Sequence, residues 1–284
     1  MVLKELPRTY HSGAYLFLSF DMVNSTQFKC TESRWPFVMH HFYTETVKAV
    51  RAVSSAFNVW KYMGDEVVFW CHLPANTYLP KFIGELYLAL QIVRERLNDL
   101  QVNYEILTQN IIGVKGTAWI AVAEHVASHE LESHLLKDSH LGRIIEEEID
   151  GAKSVLVDFI GQEIDIGFRI AKFAHNGFLQ LNASLAALML LQQPESAEVP
   201  ARIVALEPLK GVWGGRPYPI IWYCDPWDHS EENFAYDELL QNLVIARVLG
   251  GQTQPLKFVN KILRDMNQER YIALLYEHLT LARA

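Results

Sequence analysis

Two aspartates lie at the ends of strand-like segments in the first quarter of the chain. Asp21 follows the apolar run 14–20, and Asp65 lies at a glycine-containing turn between two short strand-like runs, 58–62 and 66–71. If these strands pair, the two carboxylates meet, and they repel each other unless a positive charge lies between them. A pair of divalent cations is the usual solution where phosphoryl groups are transferred. The two residues are therefore candidate metal ligands.

A second candidate pair, Asp165 and Arg169, lies in a segment with helical spacing. Residues four apart share one face of a helix, so the two side chains can act at one site. Both candidate pairs also have simpler interpretations. Asp165 and Arg169 would form a surface ion pair, and Asp21 would open a turn and cap a helix through the polar residues 24–26. Residue types alone leave these interpretations open.

The order of the predicted elements places the first pair on a βαββαβ core. The hydrophobic patterns predict a strand at 14–20, a helix at 34–57, strands at 58–62 and 66–71, a helix at 79–100 and a strand at 111–122. This order is typical of a ferredoxin-like or palm-like α+β fold, an α/β sandwich.

The remainder of the chain divides into three parts. Residues 124–150 are polar, rich in His and Glu, and have a helical period. Because they lie between two predicted strands, we predict that they form an insertion. Further elements complete the sheet: a strand at 154–160, a helix from 162 to about 175, and strands at 202–209 and 218–223. From about residue 234 the pattern is wholly helical. We therefore expect a catalytic domain at 1–228 and a C-terminal helical extension at 229–284.

Composition excludes several classes of protein. Of 284 residues, 50% are hydrophobic and 20% charged, which is typical of a globular protein and excludes a disordered one. The net charge of -8 argues against a nucleic-acid surface. Three scattered cysteines favour a reducing compartment over a disulfide framework. No apolar run is long enough to suggest a membrane span, and no signal peptide is evident, so we expect a cytoplasmic location.

Four segments, in this order, resemble the catalytic domain of class III nucleotidyl cyclases, the adenylate and guanylate cyclases. They are SFDMVNST, WKYMGDEVVF, DFIGQEIDIGFRIAKFAHNGFLQLNASL and LEPLKGV. They look like the family's first metal-aspartate segment, its Lys-x-x-Gly-Asp hairpin, its segment of base, ribose and transition-state residues, and its strand with a phosphate-binding lysine. The resemblance runs from about Tyr15 to Tyr223.

The resemblance implies a role for each matching residue. Asp21, Asp65 and the main-chain carbonyl of Met22 would bind two divalent cations, Mn²⁺ or Mg²⁺, and Lys61 and Asp158 would read the base.

Three further residues match the family's catalytic positions. Asp165 would orient the ribose, Arg169 would stabilise the transition state, and Lys210 would bind the terminal phosphates. Asp165 departs from the family's usual asparagine, and its added negative charge near a triphosphate weakens the match at that position.

The implied reaction converts a nucleoside triphosphate to a 3′,5′-cyclic nucleotide and pyrophosphate by two-metal catalysis. In this family one subunit supplies the metal aspartates of a site, and the opposite subunit supplies its base-reading residues and its arginine. Because this chain holds both, the resemblance implies a homodimer with two equivalent sites at its interface.

The resemblance determines the nucleobase of the substrate less well than any other feature of the site. A lysine donor and an aspartate acceptor match adenine and cytosine, and they also serve uracil if the base shifts. Phe159 and Phe168 are bulky where many purine cyclases have smaller residues, which favours a pyrimidine. Strand alternation predicts that Trp60 and Tyr62 point away from the side that Lys61 faces.

The predicted first strand lies close to the start of the chain. In this respect the chain resembles the Pycsar-type bacterial pyrimidine cyclases. That resemblance implies UTP as substrate, with CTP next, and a cyclic UMP or cyclic CMP messenger that a separate effector protein reads during antiphage defence. Two alternatives stay open: an adenylate cyclase making cyclic AMP, and a catalytically silent cyclase-like module that senses nucleotides.

Other motifs have ordinary structural interpretations. His125 and His129 have the i,i+4 spacing of a zinc-binding pair and lie near His134 and His140, but no H-E-x-x-H signature is present. A solvated helix is favoured, with an insertion that caps the pocket or senses a ligand as the alternative. The pair Gly214-Gly215 predicts a turn between strands.

Overall fold

The computed structural model describes residues 12–104, 112–125, 141–149, 154–194, 199–223 and 254–280. Within these residues, no helix combines the length and apolar character that crossing a bilayer requires.

A mixed sheet of ten strands forms the centre of the fold. Its main path runs β10-β8-β9-β7-β4-β1-β3-β2, and β5 and β6 extend from the end of β4. The strands are β1 (Gly13–Val23), β2 (Asn58–Met63), β3 (Glu66–His72), β4 (Gly113–His125), β5 (Gly142–Ile149), β6 (Ser154–Ile160), β7 (Leu179–Leu181), β8 (Ala201–Pro208), β9 (Pro217–Tyr223) and β10 (Gln254–Pro255).

Helices pack against this sheet, most of them on one face. They are α1 (Ser25–Thr31), α2 (Trp35–Val53), α3 (Leu79–Asn103), α4 (Gln162–Ile170), α5 (Ala183–Gln192), α6 (Phe258–Asp265) and α7 (Glu269–Thr280), with 3-10 turns at Ala171–Phe173 and Trp213–Gly215. The predicted βαββαβ order and the α+β fold class are confirmed.

The strand β1 separates two apolar layers because successive side chains of a strand point to opposite faces. Leu16, Leu18 and Phe20 join the main core beneath the helices, and each is fully buried. Burial of one such side chain contributes about 1.5–3 kcal/mol. Tyr15 and Phe17 point to the other face.

On that second face lies a group of rings that we call the aromatic cluster. Its members are Tyr15, Phe17, Trp60, Trp70, Trp119, Phe159 and Phe168. The same face continues along β1 to Ser19 and Asp21, so it is aromatic at one end and polar at the other.

The C-terminal helices pack against the sheet. Strand β4 pairs in parallel with β7 at residues 116–118 and with β5 at 123–125, which leaves part of its edge without a strand partner. The amide of Ile120 donates to Asn182 Oδ1 (3.3 Å), and the amide of Val122 donates to the Tyr271 hydroxyl of α7 (3.0 Å). Side chains thus satisfy buried backbone donors that would otherwise be costly to leave unpaired.

One predicted element is wrong. The segment 124–150 is predicted to be helical, but residues 142–149 form β5, which pairs with β6 over residues 143–149. A polar sequence with helical spacing is overridden here by pairing with a neighbouring strand, because strand formation depends on its neighbours more than on intrinsic preference. Residues 126–140, with His129, His134 and His140, lie outside the described residues, as does the predicted helix that begins near 234.

Several short elements are not evident from hydrophobic pattern. These are α1, β7 and α5, and α2 ends four residues earlier than predicted. Asn182 caps α5 by accepting a hydrogen bond from the Leu185 amide (3.1 Å).

Candidate active site

The two aspartates of the predicted metal site lie at the same edge of the sheet. Asp21 is near the end of β1, where its register partners are Glu66 of β3 and Lys115 of β4. The amide of Met22 donates to the main-chain oxygen of Asp65 (3.1 Å), which fixes the β2–β3 turn against the end of β1. The alternative in which Asp21 caps a helix is not observed, since Asn24 is the N-cap residue of α1.

Two lysines neutralise this acidic edge. Lys115 Nζ lies 3.1 Å from Asp21 Oδ2, and Lys29 Nζ lies 4.0 Å from Asp65 Oδ1. The Ser25 hydroxyl, at the start of α1, donates to Asp65 Oδ2. Both aspartates therefore attract cations, as a metal-binding pair must.

Burial, together with repulsion between the acids, raises the pKa of Asp21 and of Glu66 above the usual value. Burial raises the pKa of Asp21, the ammonium of Lys115 lowers it, and the charge of Asp65 raises it. Burial also raises the pKa of Glu66, a hydrogen bond from Ser19 lowers it, and the charge of Asp21 raises it. Glu66 is thus a third acid at this edge.

The donor set fits a divalent cation that also binds substrate. In the part of the chain that the structure describes, no three His, Cys, Asp or Glu side chains are grouped so that they could hold a metal ion. Mg²⁺ is commonly bound through one or two carboxylates, with phosphate and water oxygens as the remaining ligands. Asp21 and Asp65 can supply that part of the coordination.

The predicted base-reading pair is in direct contact. Lys61 Nζ lies 3.2 Å from Asp158 Oδ1, and both side chains are partly exposed. The two residues come from β2 and β6, 97 positions apart in the chain. The sheet therefore joins two segments that the sequence places far apart.

The predicted orientation of Trp60 is wrong. Its indole Nε1 donates to Asp158 Oδ1 (3.1 Å), and Lys61 Nζ lies 3.9 Å from the centre of its ring, so Trp60 and Lys61 reach the same place. The cause is a β-bulge: Val59 pairs with Phe69 and Lys61 with Val68, which leaves Trp60 as the extra residue. Tyr62 instead packs on Tyr43 of α2.

The two phenylalanines differ in position. Phe159 is buried in the aromatic cluster, with ring contacts to Tyr15, Phe17 and Trp60. Phe168 is half-buried on α4, and the centre of its ring lies 5.9 Å from Lys61 Nζ. Phe168 is therefore within reach of the Lys61 ammonium, whereas Phe159 packs inside the cluster.

The three remaining candidates lie near α4 and the β8–β9 connection. Asp165 is exposed in the first turn of α4 and Arg169 is partly exposed in its last turn. No ion pair joins these two residues, so the simple surface-pair interpretation is not supported among the described contacts. A Cβ atom built on Gly211 would lie 4.0 Å from Arg169 Nη2. Arg169 is therefore beside Gly211, the residue that follows Lys210. The predicted turn at Gly214 is present.

The site also includes residues that sequence reasoning did not identify. Ser25, Lys29, Glu66, Lys115 and Trp60 contact the predicted residues, as described above. Because Glu66 directly follows Asp65, its place in the sequence indicated that it could lie at the same edge. The lysines have no such signal because their partners come from other elements.

Solved structures share this fold. An adenylyl cyclase, CyaB from P. aeruginosa, is similar with a TM-score of 0.52 and 13% identity over 76% of this chain and 95% of that one. The chain has a class III cyclase fold. A guanylyl cyclase, Cya2, aligns with a TM-score of 0.49 and 13% identity over 77% of this chain and 98% of that one. No family model and no curated protein sequence matches the chain.

Apart from the Lys61–Asp158 pair and Asp165, the candidate residues form two groups within the cyclase fold. One is the Asp21–Asp65 edge with its lysines, and the other comprises Arg169 and Lys210. Among the described residues, no hydrogen bond or ion pair joins the two groups.

Proposed function

We propose that this protein is a nucleotidyl cyclase, which converts a nucleoside triphosphate to a 3′,5′-cyclic nucleotide and pyrophosphate. The observation that carries the proposal is the edge formed by Asp21 and Asp65, which are neutralised by Lys115 and Lys29 on a class III cyclase fold. A catalytically silent relative would have no need to keep both carboxylates at one edge.

Asp21, Asp65 and the main-chain carbonyl of Met22 would hold two divalent cations, Mn²⁺ or Mg²⁺. When bound, such ions lower the pKa of the ribose 3′-hydroxyl and neutralise charge on the departing pyrophosphate. The turn that holds Asp65 is tied to β1 through the Met22 amide, so both carboxylates keep their relative position. Such preorganisation is what phosphoryl transfer mainly requires of the protein.

The cationic group would act on the phosphates. Arg169 would donate to the oxygens of the α-phosphate as negative charge develops there, and Lys210 would bind the terminal phosphates. Asp165, exposed on the same helix as Arg169, would accept a hydrogen bond from the ribose.

A second copy of the chain would complete each site. The Asp21–Asp65 edge and the Arg169–Lys210 group share no contact among the described residues, so one copy would contribute the metal ligands and the other the arginine. A two-fold homodimer then has two equivalent sites.

The base would be uracil, with cytosine next. Lys61 can donate and Asp158 can accept, which suits a base edge with an acceptor beside an N–H donor. The ring centres of Trp60 and Phe168 lie 3.9 and 5.9 Å from the Lys61 ammonium. The bulk of these two rings favours a small base over a purine. The product would act in the cytoplasm as a messenger that a separate effector protein reads during antiphage defence.

Incubation of the purified protein with each of the four triphosphates and Mn²⁺ tests this proposal, with products identified by mass. Cyclic UMP as the main product is expected, with cyclic CMP second. Cyclic AMP as the dominant product would overturn the pyrimidine assignment and leave an adenylate cyclase. Triphosphate binding without product would overturn the cyclase and indicate a nucleotide-sensing module.

A further inference from the structure

One oxygen of the Asp158 carboxylate accepts three hydrogen bonds. Oδ1 accepts from the Phe159 amide (3.0 Å), from Trp60 Nε1 (3.1 Å) and from Lys61 Nζ (3.2 Å). Among the described residues, no donor contacts the other oxygen, Oδ2. The carboxylate is therefore held from one side and keeps one acceptor for a ligand.

Trp60 also fixes the lysine of the pair. The Lys61 ammonium lies 3.9 Å from the centre of the indole ring, within the range of a cation–π interaction. Because Lys61 also contacts Asp158 Oδ1, its flexible side chain is held at two points. Trp60 thus contacts both members of the base-reading pair.

The indole is itself held by the aromatic cluster. Its ring centroid lies 5.5 Å from that of Phe17, 5.2 Å from that of Phe159 and 5.7 Å from that of Phe168. The bulge in β2 turns Trp60 to this face, as described above. The contacts on several sides leave the indole N–H little freedom to point elsewhere.

From this geometry we propose that Trp60 is a positioning residue that sets base selectivity, and the inference rests on the proposed cyclase function. By occupying Oδ1, the indole directs Oδ2 of Asp158 toward the substrate as a pure acceptor. The substrate must then present an N–H to Oδ2 and an acceptor to Lys61. A base that lacks this adjacent pair leaves Oδ2 or the Lys61 ammonium without a partner in the complex and is rejected.

The variant Trp60→Phe tests the proposal, because it keeps an aromatic ring beside Lys61 and removes the N–H. The measured quantity is the ratio of kcat/KM for the preferred triphosphate to that for the next best. Loss of a hydrogen bond to a charged group should lower this ratio about tenfold, mainly through KM. Trp70→Phe is the matched control, since Trp70 lies in the same aromatic cluster and contacts the Phe159 ring rather than the pair. Its ratio should stay within about twofold of the wild type.

A double-mutant cycle separates positioning from general destabilisation. If Trp60 acts through Asp158, then Trp60→Phe should change the ratio little in an Asp158→Ala background. An unchanged ratio in Trp60→Phe, an equal fall in Trp70→Phe, or full additivity with Asp158→Ala would each overturn the proposal.

The same variants distinguish this inference from the proposed function. If the wild type binds triphosphates without forming product, cyclase activity is refuted, and the ratio of dissociation constants for the same two triphosphates then decides the role of Trp60. If the wild type binds no triphosphate, both proposals are refuted.

Discussion

Lys115 Nζ lies 3.1 Å from Asp21 Oδ2, so a lysine of β4 is the nearest cation to a predicted metal ligand on β1. Both side chains are partly buried, at 22% and 28% exposed, and solvent screens their attraction less than it would on an open surface. A divalent cation that binds Asp21 must displace this ammonium or share the carboxylate with it. Lys115 therefore competes with metal in the free protein.

Lys115→Met should increase the stabilisation that Mn²⁺ gives to the protein. Removal of the ammonium leaves Asp21 without its nearest counter-ion, which destabilises the metal-free form and strengthens cation binding. The rise in melting temperature on adding Mn²⁺ should be larger than in the wild type by about 2–4 °C, which corresponds to about 1 kcal/mol in a chain of this size.

The matched control for this measurement is Lys81→Met. Lys81 is largely exposed and forms an i,i+4 pair with Glu85 on α3, so its loss should not alter the response to Mn²⁺. An equal or smaller response in Lys115→Met than in the wild type would show that the lysine does not compete with metal.

Tyr271→Phe should destabilise the fold, because the Val122 amide on β4 loses its acceptor. The amide and the hydroxyl are buried, and an unpaired buried donor costs about 1–3 kcal/mol. Tyr276 lies on the same helix and is 38% exposed, so Tyr276→Phe serves as the control. Denaturant unfolding should show a lower free energy of unfolding only for Tyr271→Phe. Equal values for the two variants would mean that α7 does not support the sheet edge.

Glu163 should make stability depend on pH. Burial raises its pKa from 4.5 to about 7, and hydrogen bonds from Ser184 and Asn182 oppose this only in part. Between these two values the unfolded chain releases the proton while the folded chain keeps it, so stability falls as pH rises. The loss attributable to this group is about 3 kcal/mol by pH 8.

Glu163→Gln removes this titration and keeps an oxygen that can accept from Ser184. Relative to the wild type, the free energy of unfolding of the variant should therefore rise by about 2.5 kcal/mol between pH 5 and pH 8. Denaturant unfolding at both pH values measures this gain, and Glu85→Gln is the control because the Glu85 side chain is partly exposed. A difference between Glu163→Gln and wild type that is the same at both pH values would contradict a buried, protonated Glu163.

The sequence predicted those parts of the fold that depend on local periodicity. The strand that carries Asp21, the turn that carries Asp65 and the helix that carries Arg169 follow from apolar spacing and a glycine turn. Contacts such as Lys61 with Asp158 could be inferred only through the resemblance to a family, because sheet pairing across 97 residues has no local signal.

The errors have a common origin in pairing between strands. Residues 142–149 look helical in isolation, and only their partner β6 makes them a strand. Strand alternation assigned Trp60 to the wrong side because a bulge depends on the register between β2 and β3. Lys115 likewise reaches Asp21 only through the pairing of β1 with β4.

The most direct test of the shared site uses heterodimers of inactive chains. Asp65→Ala and Arg169→Ala, carried on two differently tagged copies and purified together, should regain about half of the wild-type activity, since one of two sites then has all its residues. A heterodimer of Asp21→Ala with Asp65→Ala should stay inactive, because each site would lack one metal aspartate. No activity in the first heterodimer, or equal activity in both, would contradict a site built from two copies of the chain.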